Sequence, residues 1–220
     1  MKGNCMKKYT TVLFDLDGTL TDPYEGVVNC FAHTLAQFGL SETNEDTLRT
    51  YIGPPLDLTF SETYGFSRED TKKAVEIFRK CYAEKGVYEN KLYPGIPGLL
   101  TLLTSQGRTC MVATSKGEQF ALQVLDHFDI RKYFFDVAGA TMDESRSDKA
   151  EIIAYLLEKH HVQRDTAVMI GDRKYDIAGA KKNGLDSIAV GYGHGSGEEF
   201  REAGPTYFCK DMEALMAFFS

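Results

Sequence analysis

Two aspartates one residue apart, Asp15 and Asp17, end the apolar run Val12-Leu13-Phe14 and lead into Gly18 and Thr19. Such a run suits a strand buried on both faces of a parallel sheet. A buried strand has no reason of its own to finish in two carboxylates, because like charges this close repel and the edge of a core is a costly place for them. A divalent cation would remove that penalty. Gly18 lets the backbone turn away and Thr19 offers a hydroxyl; a plain Asp-Gly turn is the alternative. A second acidic pair follows the run Ala167–Ile170: Asp172 after Gly171, and Asp176 four residues on. On one helix face the two would repel, and a cation would relieve that too, unless Asp172 merely caps the helix and Asp176 is solvated. Thr114-Ser115-Lys116 follows the apolar run Met111-Val112-Ala113, where Thr114 also suits a helix cap. Lys149, two residues after the potential cap Ser147, stands in a first helical turn against the helix dipole. A nearby anion would explain it; Arg146 is a weaker candidate for the same role.

This set of groups has the makings of phosphate-ester hydrolysis, a reaction so slow unaided that a catalyst is asked for up to ~10²¹-fold, mostly through positioning and charge stabilisation. An aspartate can attack phosphorus and carry the phosphoryl group; Asp15 is the candidate. On an extended chain Asp17 would share its face, so the chain must bend, as Gly18 permits, for both to converge on one group. Asp17 would then protonate the leaving oxygen and later activate water. Mg²⁺ prefers hard oxygens, and Asp15, the Asp17 backbone carbonyl and Asp172 suit it. Thr114 and the amide of Ser115 could hold phosphoryl oxygens, and Lys149 could neutralise charge between nucleophile and phosphate.

The elements needed to place these residues follow from periodicity. After the first strand, Val27, Val28, Phe31, Leu35 and Phe38 recur at helical spacing up to Gly39. A shorter helix carries Leu48, Tyr51 and Ile52 and breaks at Gly53-Pro54-Pro55, and Leu56 to Tyr64 has helical character. Ser67 with Asp70 reads as a capping box that opens a long helix ending near Gly86. No strand signal interrupts Pro23 to Gly86, so this stretch reads as an inserted helical cap, residues 22–87, within a core of residues 1–21 and 88–220. From Tyr93-Pro94-Gly95 the chain alternates. Helices are expected over Ile96–Ser105, Gly117–Phe128, Ser147–His160, Tyr175–Asn183 and from Asp211. Strands are expected over Thr109–Ala113, Phe135–Ala138, Ala167–Ile170, Ser187–Val190 and near Tyr207-Phe208. That alternation implies an α/β fold, a parallel sheet with helices on both faces, whose ligands bind beyond the carboxyl ends of the strands. The polar residues singled out above all stand there.

Composition narrows the classes. The chain has 220 residues, 43% of them hydrophobic, which is enough for a full core. Its net charge of −7 disfavours nucleic acid or an anionic membrane as partner, and no apolar run approaches spanning length. Five scattered cysteines, Cys5, Cys30, Cys81, Cys110 and Cys209, show no zinc spacing and suit reduced thiols in a cytoplasmic protein. The start, Met1 to Thr10, has no signal-peptide core.

The block Phe14-Asp15-Leu16-Asp17-Gly18-Thr19, Thr114 after a strand, Lys149, and Gly171-Asp172-Arg173-Lys174-Tyr175-Asp176 together resemble, in order and placement, the four motifs of the haloacid dehalogenase superfamily. The helical insert resembles that of subfamily I, and the whole is similar to phosphoglycolate phosphatase-like proteins, including bacterial 5′-nucleotidases. The resemblance implies a Rossmann-like sheet, Mg²⁺, an aspartyl-phosphate intermediate, and a small phosphorylated metabolite as partner. It implies catalytic Asp15, Asp17 and Lys149, phosphoryl contacts at Thr114 and Ser115, metal binding by Asp15, Asp17 and Asp172, and support for the metal from Asp176. Dehalogenases of this kind lack the second aspartate, so Asp17 speaks against that chemistry. Phosphonatases use a cap lysine, for which Lys72, Lys73, Lys80 and Lys85 are available. Sugar phosphomutases carry a histidine just after the first motif, and Thr21 to Gly26 has none. A catalytically silent binding module is a further alternative, against which the intact acidic set stands.

Overall fold

The computed structural model describes residues 9–54, 56–141 and 146–220; Cys5 and Pro55 lie outside them. Six strands form one parallel sheet: β1 (Thr11–Phe14), β4 (Thr109–Gly117), β5 (Phe134–Ala140), β6 (Ala167–Gly171), β7 (Asp186–Val190) and β8 (Tyr207–Cys209). Their spatial order is β5-β4-β1-β6-β7-β8. This is the doubly wound order in which the chain first builds outward on one side of β1 and then on the other, and the crevice beyond the switch point is where such sheets bind ligands. The sequence places Asp15 and Asp172 at that point, because β1 and β6 are paired neighbours, Phe14 opposite Ile170.

Alternation along β1 divides the core. Val12 and Phe14 face a cluster shared with α5 (Ile96–Ser105), α6 (Glu118–His127) and α10 (Met212–Phe219). Leu13 faces the other side, with Ile152, Ile153 and Leu156 of α7 (Lys149–Lys159) and Ala180 of α8 (Lys174–Lys182). The period of two is the pleat of a strand covered on both faces.

The stretch between β2 (Thr21–Asp22) and β3 (Lys91–Leu92) is helical. It comprises α1 (Tyr24–Ala36), α2 (Glu45–Arg49), α3 (Leu56–Leu58) with a π turn Thr59–Thr63, and α4 (Arg68–Cys81) with a π turn Tyr82–Gly86. Phe31 anchors it, 4.3, 5.0 and 4.9 Å between ring centroids from Tyr51, Phe60 and Phe78. Where this stretch leaves and re-enters the sheet, β2 (Thr21–Asp22) pairs antiparallel with β3 (Lys91–Leu92). Two-residue strands carry no periodicity, so no pattern marks this ribbon in the sequence.

Several boundaries differ from expectation. β4 continues past Ala113 through Thr114-Ser115-Lys116 to Gly117, with irregular register against β5. A bulge of this kind re-aims side chains near a site. The cap of α7 is Asp148, whose side chain accepts from the Ala150 amide, rather than Ser147. At α4, Ser67 accepts from the Asp70 amide while its hydroxyl donates to the Asp70 carboxylate, so the box closes through side chains. Helix α9 (Gly197–Ala203), opened by the Ser196 cap, was not anticipated, because seven residues with one buried apolar side chain, Phe200, show no period. Among the described residues no helix is long and apolar enough to cross a membrane, and Cys30, Cys81, Cys110 and Cys209 are free thiols.

Candidate active site

β1 delivers Asp15 with its carboxylate buried, and the next turn reverses the chain. The amides of Leu20 and Thr21 return to the Leu16 carbonyl at 2.8 and 3.0 Å, and the Gly18 amide donates to the Thr21 carbonyl at 2.7 Å. Gly18 has φ +86°, and a Cβ there would lie 2.1 Å from Asp172 Oδ2. Both its conformation and its missing side chain are therefore required. The turn sends the two aspartates in different directions. Asp15 Oδ1 accepts from the Leu16 amide at 2.7 Å and pairs with Lys149 Nζ at 2.8 Å. Asp17 Oδ2 pairs instead with Lys116 Nζ at 2.6 Å.

Asp15, Asp172 and Asp176 come together: one carboxylate oxygen from each lies within 4.8 Å of the others, and all three side chains are buried. Asp172 is held by the Thr19 hydroxyl at 2.9 Å and the His194 amide at 2.8 Å. Asp176 Oδ1 pairs with Lys149 at 2.8 Å, and its other oxygen accepts the Arg173 amide at 3.0 Å. Gly171 leaves room for it, since a Cβ there would fall 2.2 Å from the Asp176 carboxyl carbon. The cap of α8 is Arg173, so the reading of Asp172 as a helix cap with a solvated Asp176 does not hold.

Lys149 enters from the first residue of α7, where its ammonium also donates to the Ala113 carbonyl at 3.0 Å. Burial pulls its pKa down, but Asp15 and Asp176 outweigh that and hold it above the ordinary lysine value. Burial, then the charges of Asp15 and Asp176, push Asp172 well above the usual carboxylate range. Burial raises Asp176 to about 6 even though Lys149 opposes the change. One ammonium among three carboxylates leaves two negative charges uncompensated. The donors are hard oxygens and the deficit equals one divalent cation, so these residues fit Mg²⁺.

Arg146 points elsewhere: it pairs with Glu118 at 2.7 Å, donates to the Gly139 carbonyl at 3.1 Å and stacks over Tyr155. Thr114 is buried within β4 and accepts the Lys116 amide at 3.2 Å. Thr114 and Ser115 both line a cavity of about 400 Å³ that also contains Asp15, Asp17 and Lys149. Its far wall comes from the helical stretch, including Val27, Tyr51, Ile52, Pro54, Phe78 and Tyr82. Lys72, Lys73, Lys80 and Lys85 are exposed and are not among the described residues lining it. Two site residues were given no role from sequence. Lys116 had a usable signal, since it sits two positions after Thr114 on an extended chain and so shares its face. Arg173 had none: its guanidinium bonds Glu199 at 3.0 Å and donates to the Ile52 carbonyl across the cavity mouth, a contact that only the folded chain creates.

The fold and this acidic crevice define a hydrolase class, and sequence comparison agrees. The pattern of the haloacid dehalogenase-like hydrolase family matches residues 12–190, and the chain belongs to that family. A 5′-nucleotidase of Pseudomonas aeruginosa is 42% identical over 208 residues, covering 94% of each chain. A phosphoglycolate phosphatase of Vibrio parahaemolyticus is 29% identical over 93% of each. The crystal structure of a predicted phosphatase from Clostridium acetobutylicum superposes with a TM-score of 0.92 at 41% identity, covering 96% of this chain and 97% of that one. The protein is a phosphatase of this family.

Proposed function

We propose that the protein hydrolyses a small phosphate monoester through an aspartyl-phosphate on Asp15, with a nucleoside 5′-monophosphate as the leading substrate class. The observation that carries the chemistry is the buried cluster of Asp15, Asp172 and Asp176 around Lys149, of which Asp15, Asp176 and the lysine line a cavity that also holds Asp17. Asp15, Asp172 and the Asp17 backbone carbonyl would hold Mg²⁺, with Asp176 beside them. When bound, the ion supplies charge neutralisation between the attacking carboxylate and the phosphoryl oxygens.

The chain's own groups account for the rest. Asp15 Oδ1 is occupied by Lys149 and the Leu16 amide, so its second oxygen is the one that attacks phosphorus. Lys149 offsets repulsion between that carboxylate and the incoming phosphate. Thr114 and the Ser115 amide receive phosphoryl oxygens. Asp17 gives a proton to the leaving oxygen and takes one from water in the second step, help worth about 10²–10⁴-fold. Residues 22–87 act as a cap over the cavity, hinged at the β2–β3 ribbon.

The largely apolar, aromatic wall favours a nucleobase over the second carboxylate of phosphoglycolate, since flat rings gain burial and stacking there. The relative named 5′-nucleotidase supports the same choice. A panel of nucleoside 5′-monophosphates, phosphoglycolate and sugar phosphates, ranked by kcat/KM, is the test. A nucleotide should rank first and Asp15→Asn should lose essentially all turnover while remaining folded. Phosphoglycolate ranking first would overturn the substrate class, and near-full turnover by Asp15→Asn would overturn the nucleophile.

A further inference from the structure

The two carboxylate oxygens of Asp17 stand in contrasting settings. Oδ2 takes the Lys116 ammonium at 2.6 Å. Oδ1 is shielded from solvent and has no hydrogen-bond partner among the described residues. A buried oxygen without a protein partner costs roughly 1–3 kcal/mol, and a catalytic role is one reason a native site keeps such a group. Asp17 lines the cavity, and its side chain is 17% exposed, so a small rotation of the carboxylate is all that separates this oxygen from the cavity.

Lys116 is itself tightly held. Its side chain is 8% exposed. Its ammonium lies 4.4 Å from the centroid of the Tyr82 ring, in the π turn that ends the helical stretch. Tyr82 in turn packs edge-on against Phe120 of α6 at 5.6 Å. The Asp17 and Tyr82 charges and dipoles keep Lys116 protonated despite its burial. Its backbone amide binds Thr114 Oγ1, so the bulged segment of β4 that faces the phosphoryl position also aims the lysine. A free carboxylate rotates about its last bond, whereas one short charge-assisted bond removes that freedom.

We propose that Lys116 is a positioning residue for the acid–base step: it pins Asp17 Oδ2, with Tyr82 packed over its ammonium, so that Oδ1 meets the leaving-group oxygen. The proposal rests on the reading of Asp17 as acid and base. In the first step the Asp15–phosphorus bond forms as the ester P–O bond breaks, and the proton on Asp17 passes to the departing oxygen. In the second, water's oxygen bonds to phosphorus as the Asp15 bond breaks, and its proton returns to Asp17. Lys116 keeps its protons throughout. The Tyr82 contact makes the alignment depend on a residue of the cap, so the acid is aimed only when that turn is seated.

The test compares the best alkyl ester of the substrate panel with 4-nitrophenyl phosphate, whose leaving group needs little protonation. Misplacing a catalytic group by about 1 Å costs about 10²-fold. Lys116→Met should therefore lower kcat about 10²-fold on the alkyl ester and less than about threefold on the aryl ester, with KM for both little changed. Lys116→Arg should recover part of the loss, and the double variant Lys116→Met/Asp17→Asn should be no worse than Asp17→Asn alone. Equal losses on both esters, or losses that multiply in the double variant, would overturn the proposal. Asp17→Asn measured alone separates the two readings. If it loses equally on both esters, the acid–base reading of Asp17 falls. If it shows leaving-group dependence and Lys116→Met does not, only the role of Lys116 falls. Should Lys116→Met fail to fold, Lys116→Gln, which keeps a donor but no charge, carries the same comparison with an intermediate loss expected.

Discussion

A divalent cation should stabilise this fold, and the amount should depend on pH in a direction set by the acidic cluster. Asp176 is raised from 3.8 to about 6, and Asp172 is raised as well, chiefly by burial. Between the unfolded value and about 6, the folded protein therefore binds protons that the unfolded chain does not. Stability of the cation-free protein should accordingly rise as pH falls from 7.5 towards 5, by a few kcal/mol at most. A cation competes for the same oxygens. At a hundredfold excess over Kd it adds about 2.7 kcal/mol, and for a chain of this size each kcal/mol moves Tm by about 2–4 °C, so Mg²⁺ should raise Tm by roughly 5–10 °C at pH 7.5. At pH 5, one unit below the Asp176 value, displacing that proton weakens the apparent affinity about tenfold, and the gain falls to about 1.4 kcal/mol. Displacing a second proton from Asp172 would lower it further. The assay is a thermal melt in EDTA or in Mg²⁺ at both pH values, with ionic strength matched by NaCl. Asp172→Asn sharpens it. Its amide can still accept from the His194 amide, and the Thr19 hydroxyl can turn to accept from the new NH₂, so the hydrogen bonds survive while one repulsive charge goes. That variant should melt higher than wild type in EDTA at pH 7.5 and respond little to Mg²⁺. A Mg²⁺ shift as large at pH 5 as at pH 7.5, or an undiminished shift in Asp172→Asn, would refute the reasoning.

Lys149→Met should destabilise the cation-free protein by about 3–5 kcal/mol at pH 7.5, the usual cost of stranding buried charges, because it removes the ammonium shared by Asp15 and Asp176. The loss in urea titrations should shrink at pH 5, where protons replace the missing positive charge, and an equal loss at both values would contradict this. Arg173→Ala removes the guanidinium bonds to Glu199 and to the Ile52 carbonyl. Charge-assisted bonds of this kind are worth about 1.5–3 kcal/mol, so amide exchange around Tyr51–Gly53 should accelerate about tenfold or more, and KM should rise more than kcat falls. Unchanged exchange there would show that the arginine does not fasten the cavity wall.

The alternation of the sheet was legible because buried parallel strands and the helices between them differ in length and period: Ile96–Ser105 and Ala167–Ile170 stand almost where their apolar patterns end. The acids were legible because each stands against the chemistry of its surroundings, a charge where a core strand stops. Lys149 was legible for the same reason, as a cation at the wrong end of a helix. What escaped lacked such a local contradiction. Lys116 and Arg173 look like ordinary solvated residues until β4 and the helical stretch bring Asp17, Tyr82 and Ile52 to them. The ribbon β2–β3 is too short to have a pattern, although it pairs the two crossings between sheet and helical stretch. Gly53-Pro54-Pro55 shows in the sequence only as a break in the helical pattern. Ile52, Gly53 and Pro54 line the cavity, and the contact that holds the segment comes from Arg173, 121 residues from Ile52 in sequence.

The two lysines give the proposed nucleophile and the proposed acid–base group separate surroundings. Asp15 and Asp17 leave β1 two residues apart, where an extended chain would point both carboxylates the same way. If they stayed together they would share a proton or a cation, and neither could specialise. The turn at Gly18 breaks that symmetry, and each carboxylate then finds its own ammonium: Lys149 for Asp15, Lys116 for Asp17. The lysines come from different elements, α7 and β4. Their electrostatic surroundings differ accordingly. Asp15 lies in a cluster short of two positive charges, a place suited to a divalent cation and a phosphate. Asp17 sits in a balanced pair under an aromatic ring, with one oxygen left unpaired. On the proposed mechanism a nucleophile needs the first setting and an acid–base group the second, so the proposed division of labour would follow from which lysine each carboxylate meets.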